Sequence, residues 1–399
     1  MYKNTNYRPK YRRPGVQSFG PSRRARGKKA EKTIDPSRFI KAAEPQLNSD
    51  YETSHEFADF EMHPLLKANI TAKGYVVPSE IQDKTIALGL AGRNVVGIAN
   101  TGTGKTAAFA LPILNKLMRS PSSSALIIAP TRELAMQIEE QCKLLAKSSG
   151  LHGALLIGGM PMGRQINDLK RRPRIIIGTP GRIKDHLSQR NLNLATCDMV
   201  VLDEVDRMLD MGFIKDVREI LSNLPDDHQA FFFSATLSPE IQSLIQTFAK
   251  DPEVVNVKIG ETSQNVHQDI VKYSGKSEKM SLLQDLLLSD ELSKALIFGK
   301  TKYGVERLGK ELQARGFKAD ALHGGKNQGQ RKRALDAFRE DKINILVATD
   351  VAARGIDVKD ISHVINFDTP QSYEDYVHRI GRAGRAGRPG RAFTFVEKP

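Results

Sequence analysis

The sequence feature that most constrains the fold is the loop at 99–106, which reads ANTGTGKT. An apolar run at 95–99 precedes the glycines and a helical pattern begins at Ala107, so we predict a strand, a glycine turn and a helix. Glycine lets the backbone approach a phosphate closely, and a helix start offers unpaired N–H groups at its positive dipole end. We therefore expect Lys105 to reach the β and γ phosphates of a nucleotide and the Thr106 hydroxyl to ligate Mg²⁺. Ala99 stands where the full pattern has glycine, and a loop that only turns the chain is the alternative.

Length and composition limit the class of protein. A chain of 399 residues exceeds the usual size of one core, so we expect two domains. With 40% hydrophobic and 27% charged residues, it contains no apolar run near the ~18–20 residues that span a bilayer. We expect no membrane association. Cys142 and Cys197 have neither CxxC spacing nor a histidine cluster, which argues against disulfides or zinc and favours a reducing, cytoplasmic location.

The positive charge is concentrated at the N-terminus. Residues 1–33 hold eleven Lys or Arg against Glu31 alone, a charge of +10 within a net +14. Prolines and glycines interrupt any amphipathic helix there, which disfavours a transit peptide. Tyrosines between the arginines can stack on bases while the cations meet phosphates, so residues 1–50 are interpreted as a basic, largely disordered tail that binds nucleic acid. A tail that only aids solubility is the alternative.

The rest of the chain alternates short apolar runs with helical patterns. Runs such as 125–129, 174–177 and 199–202 lack polar alternation, which predicts strands buried on both faces of a parallel sheet. The polar segment 259–265 interrupts this pattern, which then restarts. We predict an α/β chain with an ATP-binding domain at 51–258, a linker at 259–265 and a second domain at 266–399, which completes a cleft.

An acidic pair, Asp203 and Glu204, directly follows the apolar run at 199–202. A phosphate-loop ATPase needs a carboxylate at the end of a neighbouring strand to hold Mg²⁺ through its water shell, and another group to orient the attacking water. An acidic pair that opens a helix is by itself more often a helix cap. The phosphate loop about a hundred residues upstream favours the catalytic interpretation.

Together these segments resemble the DEAD-box RNA helicases, whose motifs occur here in family order. They are GYVVPSEIQ (74–82), ANTGTGKT (99–106), PTRELA (130–135), TPGR (179–182), DEVD (203–206), SAT (234–236), LIFGKT (296–301), QGQR (328–331), TDVAARGID (349–357) and HRIGRAGR (378–385). The resemblance covers residues 57 to about 397 and makes Ala99 the expected residue of its motif. It implies two tandem RecA-like domains of helicase superfamily 2, and a monomer that unwinds short RNA duplexes or remodels RNA–protein complexes with ATP and Mg²⁺. An ATP-gated RNA clamp or annealer and a DNA translocase are the alternatives.

The resemblance also assigns site residues. Gln82 would recognise adenine, and Phe57, seventeen positions before Gly74, would stack on it or else be an ordinary core residue. Lys105, Asp203 and Glu204 would be catalytic, with Thr106 and Asp203 holding Mg²⁺ partly through water. Arg382 and Arg385 would act as arginine fingers on the γ-phosphate. The remaining ATP contacts implied are Thr101, Gly102, Thr103, Gly104 and Asp357.

RNA would lie across both domains, contacted through its backbone and therefore without sequence specificity. The implied contacts are Thr131, Arg132, Gly159, Thr179, Gly181, Arg182, Lys300, Thr301, Arg331 and Thr349. Ser234, Thr236, Asp206 and His378 would couple hydrolysis to domain movement. Two residues depart from the family pattern, Val205 in DEVD and Ala383 in HRIGRAGR, and the closing helix usual after the last strand is not expected.

Overall fold

The computed structural model describes residues 34–43, 51–100, 102–257, 265–289, 291–353, 358, 360–384 and 389–398. Residues 1–33 and 44–50 of the basic tail predicted at 1–50, and nearly all of the linker predicted at 259–265, lie outside these residues. Within them, the chain forms two α/β domains, each built on its own sheet.

The first domain contains seven strands and nine helices among the described residues. Its strands are β1 (Val95–Ile98), β2 (Ala125–Ile128), β3 (Gly153–Leu156), β4 (Ile175–Gly178), β5 (Met199–Leu202), β6 (Gln229–Ser234) and β7 (Glu253–Asn256). Its helices are α1 (Pro64–Ala72), α2 (Glu80–Leu90), α3 (Lys105–Arg119), α4 (Arg132–Leu145), α5 (Met162–Lys170), α6 (Pro180–Ser188), α7 (Val205–Asp210), α8 (Ile214–Leu221) and α9 (Pro239–Phe248).

The second domain contains six strands and five helices among the described residues. Its strands are β8 (Val266–Tyr273), β9 (Ala295–Phe298), β10 (Ala319–Leu322), β11 (Ile345–Ala348), β12 (His363–Asn366) and β13 (Gly390–Glu397). Its helices are α10 (Gly275–Leu287), α11 (Lys302–Ala314), α12 (Gln328–Arg339), α13 (Asp350–Ala353) and α14 (Tyr373–Ile380).

All pairings between these strands are parallel, so the carboxyl ends of each sheet lie along one edge. The strand orders are β3-β4-β2-β5-β6-β1-β7 in the first sheet and β10-β11-β9-β12-β13-β8 in the second. Ligands of open parallel sheets bind outside the carboxyl ends of the strands. The loops that follow the strands are therefore the ones that build a site.

Both faces of each sheet are buried, as the unbroken apolar runs predicted. Successive residues of β2 alternate between two clusters, with Ile127 in one and Leu126 and Ile128 in the other. In β9, Ile297 faces one cluster of the second domain while Leu296 faces the opposite one. Alternation of this kind follows from the two-residue period of a strand and gives each sheet a helical layer on both sides.

Part of the segment that the sequence analysis assigned to the tail is folded. Residues 36–39 form a 3₁₀ turn with Asp35 as its N-cap, and Phe39 is only 1% exposed in the core of the second domain. Lys41 then forms an antiparallel bridge with Gln268 of β8. Within the described residues, folded structure therefore extends back to Ile34, inside the segment 1–50 that was predicted as a tail.

Among the described residues, none of the helices has the length and apolar character needed to span a bilayer. Cys142 and Cys197 are both buried and carry free thiols. Burial raises the pKa of each thiol to about 12, which keeps both sulfurs protonated and unreactive.

Candidate functional site

The phosphate loop connects β1 to α3, as predicted. Its Gly102 and Gly104 have φ angles of +89° and +94°, in the left-handed region that favours glycine. Lys105 begins α3 and is buried, and its Nζ donates a 3.0 Å hydrogen bond to the carbonyl of Ala99. The helix N-terminus and the lysine therefore converge on one loop, the arrangement that a nucleotide phosphate requires.

Gln82 of α2 contacts this loop directly. Its Nε2 donates to the Gly104 carbonyl at 3.1 Å, and its Oε1 accepts from the Ser79 backbone N–H at 3.0 Å. The Ser79 hydroxyl donates to the Thr103 carbonyl at 2.7 Å. A Cβ at residue 104 would collide with the Gln82 amide, so both the space and the positive φ require glycine there. The Gln82 carboxamide, which both donates and accepts, is thus fixed beside the phosphate loop.

The acidic pair of DEVD lies at the carboxyl end of β5 and is almost fully buried, with Asp203 2% and Glu204 4% exposed. Burial raises the pKa of the Asp203 carboxyl to about 7; the Lys105 ammonium opposes this shift and the Glu204 carboxylate adds to it. Neither Asp203 Oδ1 nor Glu204 Oε2 has a hydrogen-bond partner among the described residues. Glu204 also has a φ of +55°, a strained value that tends to occur at functional sites.

The third acid of the motif connects β5 to the loop after β6. Asp206 Oδ2 accepts from the backbone N–H groups of Ala235 at 2.8 Å and Thr236 at 3.2 Å. The Ser234 hydroxyl accepts from the Asp206 N–H at 3.3 Å and donates to the Thr236 carbonyl at 2.7 Å. DEVD and SAT are therefore joined by a closed set of hydrogen bonds.

In the second domain, His378 of α14 and Arg382, which lies two residues after that helix, line a crevice that Arg207 of the first domain also lines. Arg207 is 3% exposed, and its Nε lies 3.9 Å from Glu204 Oε2. Arg379 secures α14, because its Nε and Nη2 donate to the two carboxylate oxygens of Asp350 at 2.5 and 2.8 Å. The end of α14 thus faces the acidic pair across the domain boundary.

A basic cluster occupies the other half of the first domain's edge. Arg132 follows β2, Arg182 follows β4, and the Arg132 guanidinium packs on Gly158 and Gly159, which follow β3. A Cβ at residue 159 would collide with this guanidinium, and the φ of +80° also favours glycine. Burial and the guanidinium groups of Arg331 and Arg182 lower the pKa of Arg132, as expected where positive charges are gathered.

The two domains are joined by a buried ion pair. Arg331 of α12 donates through Nε to Glu133 Oε1 of α4 at 2.7 Å, and its Nη2 lies 2.6 Å from the same oxygen. Their side chains are 7% and 4% exposed. Next to this pair, the Gln328 amide lies 3.0 Å from the Met136 sulfur. These contacts bring the QGQR residues against the helix that begins in PTRELA.

Four helix N-termini carry most of the residues expected to contact RNA. Thr131 and Thr301 are the N-caps of α4 and α11 and accept from Leu134 N–H and Gly304 N–H. Thr179 is the N-cap of α6, and Asn327 forms a capping box at the start of α12. Each N-terminus carries partial positive charge and unpaired N–H groups. The arrangement suits an extended polyanion rather than base edges.

Four of the expected site residues need separate mention, because three lie outside the described residues and Phe57 is buried. Thr101, Asp357 and Arg385 lie outside the described residues. Phe57 is only 3% exposed and packs edge-on against Tyr75, with ring centroids 5.3 Å apart. These are the contacts of a core residue, the alternative that the sequence left open. Thr349 follows β11, and the Lys300 N–H donates to Asp368 at 2.8 Å.

Three residues at the site were not predicted from the sequence: Glu133, Arg207 and Asp350. Each is a charged residue inside or next to one of the motifs named above, and that position was the signal that could have identified them. The two departures are accommodated: Val205 and Ala383 are both fully buried in hydrophobic clusters.

The chain matches two protein-family models. Residues 79–244 match the DEAD/DEAH box helicase family, and residues 278–387 match the helicase conserved C-terminal domain. It is 45% identical over 342 residues to the DEAD-box ATP-dependent RNA helicase CshA of Bacillus licheniformis, covering 85% of this chain and 70% of that one. CshA of Listeria monocytogenes is 44% identical over 344 residues, covering 86% and 66%.

Solved structures agree with these matches. A DEAD box protein from Methanococcus jannaschii is 40% identical, with a TM-score of 0.51, and covers 86% of this chain and 93% of that one. Saccharomyces cerevisiae Dbp5 bound to RNA and ADP BeF₃ is 31% identical, with a TM-score of 0.75, and covers 86% and 90%. Sequence, fold and motif geometry lead to one conclusion: the chain belongs to the DEAD-box family of ATP-dependent RNA helicases.

Proposed function

We propose that this helicase binds ATP and the backbone of single-stranded RNA on the same sheet edge and that closure of its two domains couples the two ligands. The observation that carries the proposal is the strand order of the first sheet. The nucleotide motifs follow β5, β6 and β1, which are neighbours, and the expected RNA contacts follow β3, β4 and β2, which are also neighbours. One edge thus offers two adjoining sites with different chemistry.

In the nucleotide site, Lys105 and the loop N–H groups would hold the phosphates, and Gln82 would select adenine. Phe57 stacking on the base is not part of the proposal, because its buried ring already has aromatic partners. The fixed position of Gln82 against Gly104 supports its role, since adenine recognition would then be linked directly to the phosphate loop.

The residues present suit Mg²⁺. Asp203 Oδ1 is a buried carboxylate oxygen without a hydrogen-bond partner among the described residues, and Thr106 is the second residue of α3, directly after the phosphate-loop lysine. Hard oxygen ligands of this kind are those Mg²⁺ prefers. Asp203 and Thr106 would hold the ion, partly through water, and the ion would neutralise charge on the phosphates.

Two further groups would act on the γ-phosphate. Glu204, whose Oε2 likewise lacks a hydrogen-bond partner among the described residues, would orient the attacking water. Arg382 would stabilise the developing negative charge from the second domain, together with Arg385. Because α14 belongs to the second domain, hydrolysis would require the domains to be closed. Asp206, Ser234, Thr236 and His378 would transmit that closure.

The proposed RNA site contains hydroxyls, glycines, arginines and helix N-termini. These groups bind phosphates and 2′-hydroxyls, so we expect little sequence specificity. Thr131, Thr179, Gly181 and Arg182 would act from the first domain, and Thr301 and Thr349 from the second. The remaining proposed contacts are Arg132, Gly159, Lys300 and Arg331. Arg331 would serve both RNA and the ion pair with Glu133.

The contacts between the domains support closure as the active step, because Arg331 of the second domain forms a buried ion pair with Glu133 of the first. The proposed enzyme is a cytoplasmic monomer that closes on ATP and RNA, strains the strand locally and releases it after hydrolysis.

The test pairs ATPase assays, with and without single-stranded RNA, with strand displacement on a short duplex. We expect RNA to stimulate ATP turnover and ATP to be required for duplex loss. ATP-dependent RNA retention without any duplex loss would instead support a clamp. Equal stimulation by single-stranded DNA and RNA would contradict the 2′-hydroxyl part of the proposal.

A further inference from the structure

An N-terminal strap, defined as residues 34–43, packs on the second domain although it precedes the first domain in sequence. It lies outside both regions that match the helicase families, 79–244 and 278–387. Ile34 and Phe39 join the hydrophobic cluster beneath α14, and Phe39 is 1% exposed. A segment anchored by a fully buried aromatic side chain is part of the packing of the domain rather than a passing connection.

The strap holds one side chain of α14 from two directions. The ring of Phe39 lies 4.7 Å from the ring of Tyr376, centroid to centroid. Lys41 exchanges both backbone hydrogen bonds with Gln268, at 3.0 and 2.8 Å, and the Gln268 side chain accepts from the Tyr376 hydroxyl at 3.0 Å. Tyr376 is fully buried, so its position depends on these partners.

A further contact holds the start of the same helix. The Arg38 guanidinium lies 3.9 Å from the centroid of the Tyr373 ring, a cation–π contact at the first residue of α14. The strap therefore contacts α14 at both Tyr373 and Tyr376. The opposite anchor is Arg379, which binds Asp350. Two residues after α14 ends comes Arg382.

We propose that the N-terminal strap is a positioning element for hydrolysis: by fixing Tyr373 and Tyr376 it sets the place of α14 and hence of the arginine at its end. This inference rests on the proposed role of Arg382. Arginine groups act on a transferring phosphoryl group only when correctly placed, and a displacement of about 1 Å at a catalytic group can lower the rate on the order of a hundredfold.

The strap also limits how far the domains can separate while it is docked. Tyr51 is fixed to the first domain, because its hydroxyl donates to Asp83 at 2.7 Å. Eight residue steps join Ala43 to Tyr51, and at about 3.3–3.6 Å each they reach at most about 29 Å. Deleting the strap would therefore remove both a contact and a tether, and the experiment must separate the two.

Matched variants separate these effects. Phe39→Ala removes the buried ring and keeps the chain connection, whereas Ile40→Ala removes a neighbouring side chain that is 54% exposed. Deletion of 1–33 keeps the strap and deletion of 1–43 removes it. A synthetic peptide of residues 34–43, added to the 1–43 deletion, restores the contact without the tether. Thermal unfolding is followed for each variant so that ATPase is measured well below the transition.

We expect Phe39→Ala and the 1–43 deletion to lower the kcat of RNA-stimulated ATP hydrolysis by about tenfold or more, with affinity for a fluorescent ATP analogue unchanged, since the nucleotide loop belongs to the first domain. Phe39→Leu, which restores most of the buried volume, and the added peptide should recover kcat. Ile40→Ala should keep kcat. The effect of the 1–43 deletion is measured against the 1–33 deletion, which lacks the same basic tail, with RNA at saturation.

An unchanged kcat in folded Phe39→Ala, or a loss of kcat that accompanies an equal loss of ATP affinity, would overturn the inference. A saturating labelled peptide that binds without restoring kcat would assign the effect to the tether and reject positioning. Arg382→Ala, measured in parallel, distinguishes a failure of the proposed function from a failure of the strap inference. If Arg382→Ala retains turnover the proposed function fails, and if it is inactive while Phe39→Ala is normal only the strap inference fails.

Discussion

The ion pair between Arg331 and Glu133 should contribute strongly to domain closure. Both side chains are over nine-tenths buried, and two guanidinium nitrogens approach one carboxylate oxygen within 2.7 Å. An exposed pair contributes about 0–1 kcal/mol, but removing one partner of a buried pair costs about 3–5 kcal/mol, because a buried charge is left uncompensated. Since the partners lie on different domains, this cost falls on the closed state and not on the folding of either domain.

The magnitude can be worked out for single and double variants. At about 1.4 kcal/mol per tenfold change, Arg331→Met should lower the closed population by a factor on the order of a hundred or more. Glu133→Gln should cost less, since a neutral amide remains for the arginine. The double variant buries no unpaired charge, so it should close better than Arg331→Met alone. We expect a coupling free energy of about 1.5–3 kcal/mol.

Closure is measured by fluorescence energy transfer between dyes on the two domains, in the presence of RNA and a non-hydrolysable ATP analogue. Because Arg331 is also a proposed RNA contact, the same four proteins are titrated with RNA in the absence of nucleotide, which isolates the contribution of RNA contact from that of closure. Effects that add within about 0.5 kcal/mol would refute the reasoning, since independent sites behave in that way.

Four further predictions follow from single features. Lys105→Ala should abolish ATP turnover, and a variant with undiminished ATPase would remove the central assignment. Glu204→Gln should bind ATP and RNA but hold both, so rapid RNA release in a filter assay would contradict its role in orienting water. Deletion of 1–33 should weaken RNA binding and reduce the slope of log affinity against log salt by about 0.7 for each RNA phosphate that the tail neutralises; an unchanged slope would favour a tail that only aids solubility. Burial lowers the pKa of His363 to about 4. Above about pH 6.5 this histidine is neutral in both states and its titration does not affect folding. As pH falls towards 4 only the unfolded state is protonated, so the free energy of unfolding declines by up to about 3 kcal/mol. The free energy of unfolding in urea at pH 7.5 and 5 should therefore differ more for the wild type than for His363→Gln, and equal differences would reject this account.

The spacing of the motifs predicted which chemical groups lie at the site, but not which residues those groups contact. Lys105, Asp203 and Asp206 lie where the sequence placed them, because a loop after a buried strand must lie at the carboxyl edge of a parallel sheet. The ion pair of Glu133 with Arg331 was not predicted, since partners 198 residues apart have no periodicity in common. Phe57 shows the same limit: spacing identified an aromatic residue, but only packing determined that its ring is buried.

The N-terminal strap illustrates how composition misleads at a boundary. Residues 34–43 follow a basic, proline-rich and glycine-rich segment and contain no strand or helix pattern of useful length, so composition alone groups them with the tail. Burial of Phe39 depends on a cavity formed by α14 and β8, both more than two hundred residues away. No local signal can encode a contact of that kind.

The sequence by itself determined the fold class and the candidate catalytic groups, because apolar periodicity sets which segments are strands, and glycine, lysine and carboxylate spacing sets what a loop can bind. Only the tertiary structure determined how the nucleotide motifs and the expected RNA motifs are divided between neighbouring strands. Along the chain, the nucleotide motifs of the first domain occur before and after the expected RNA motifs, whereas the order β3-β4-β2-β5-β6-β1 places each set on neighbouring strands. The physical reason is that crossover connections and packing over the whole domain, rather than adjacency in the chain, determine which strands are neighbours.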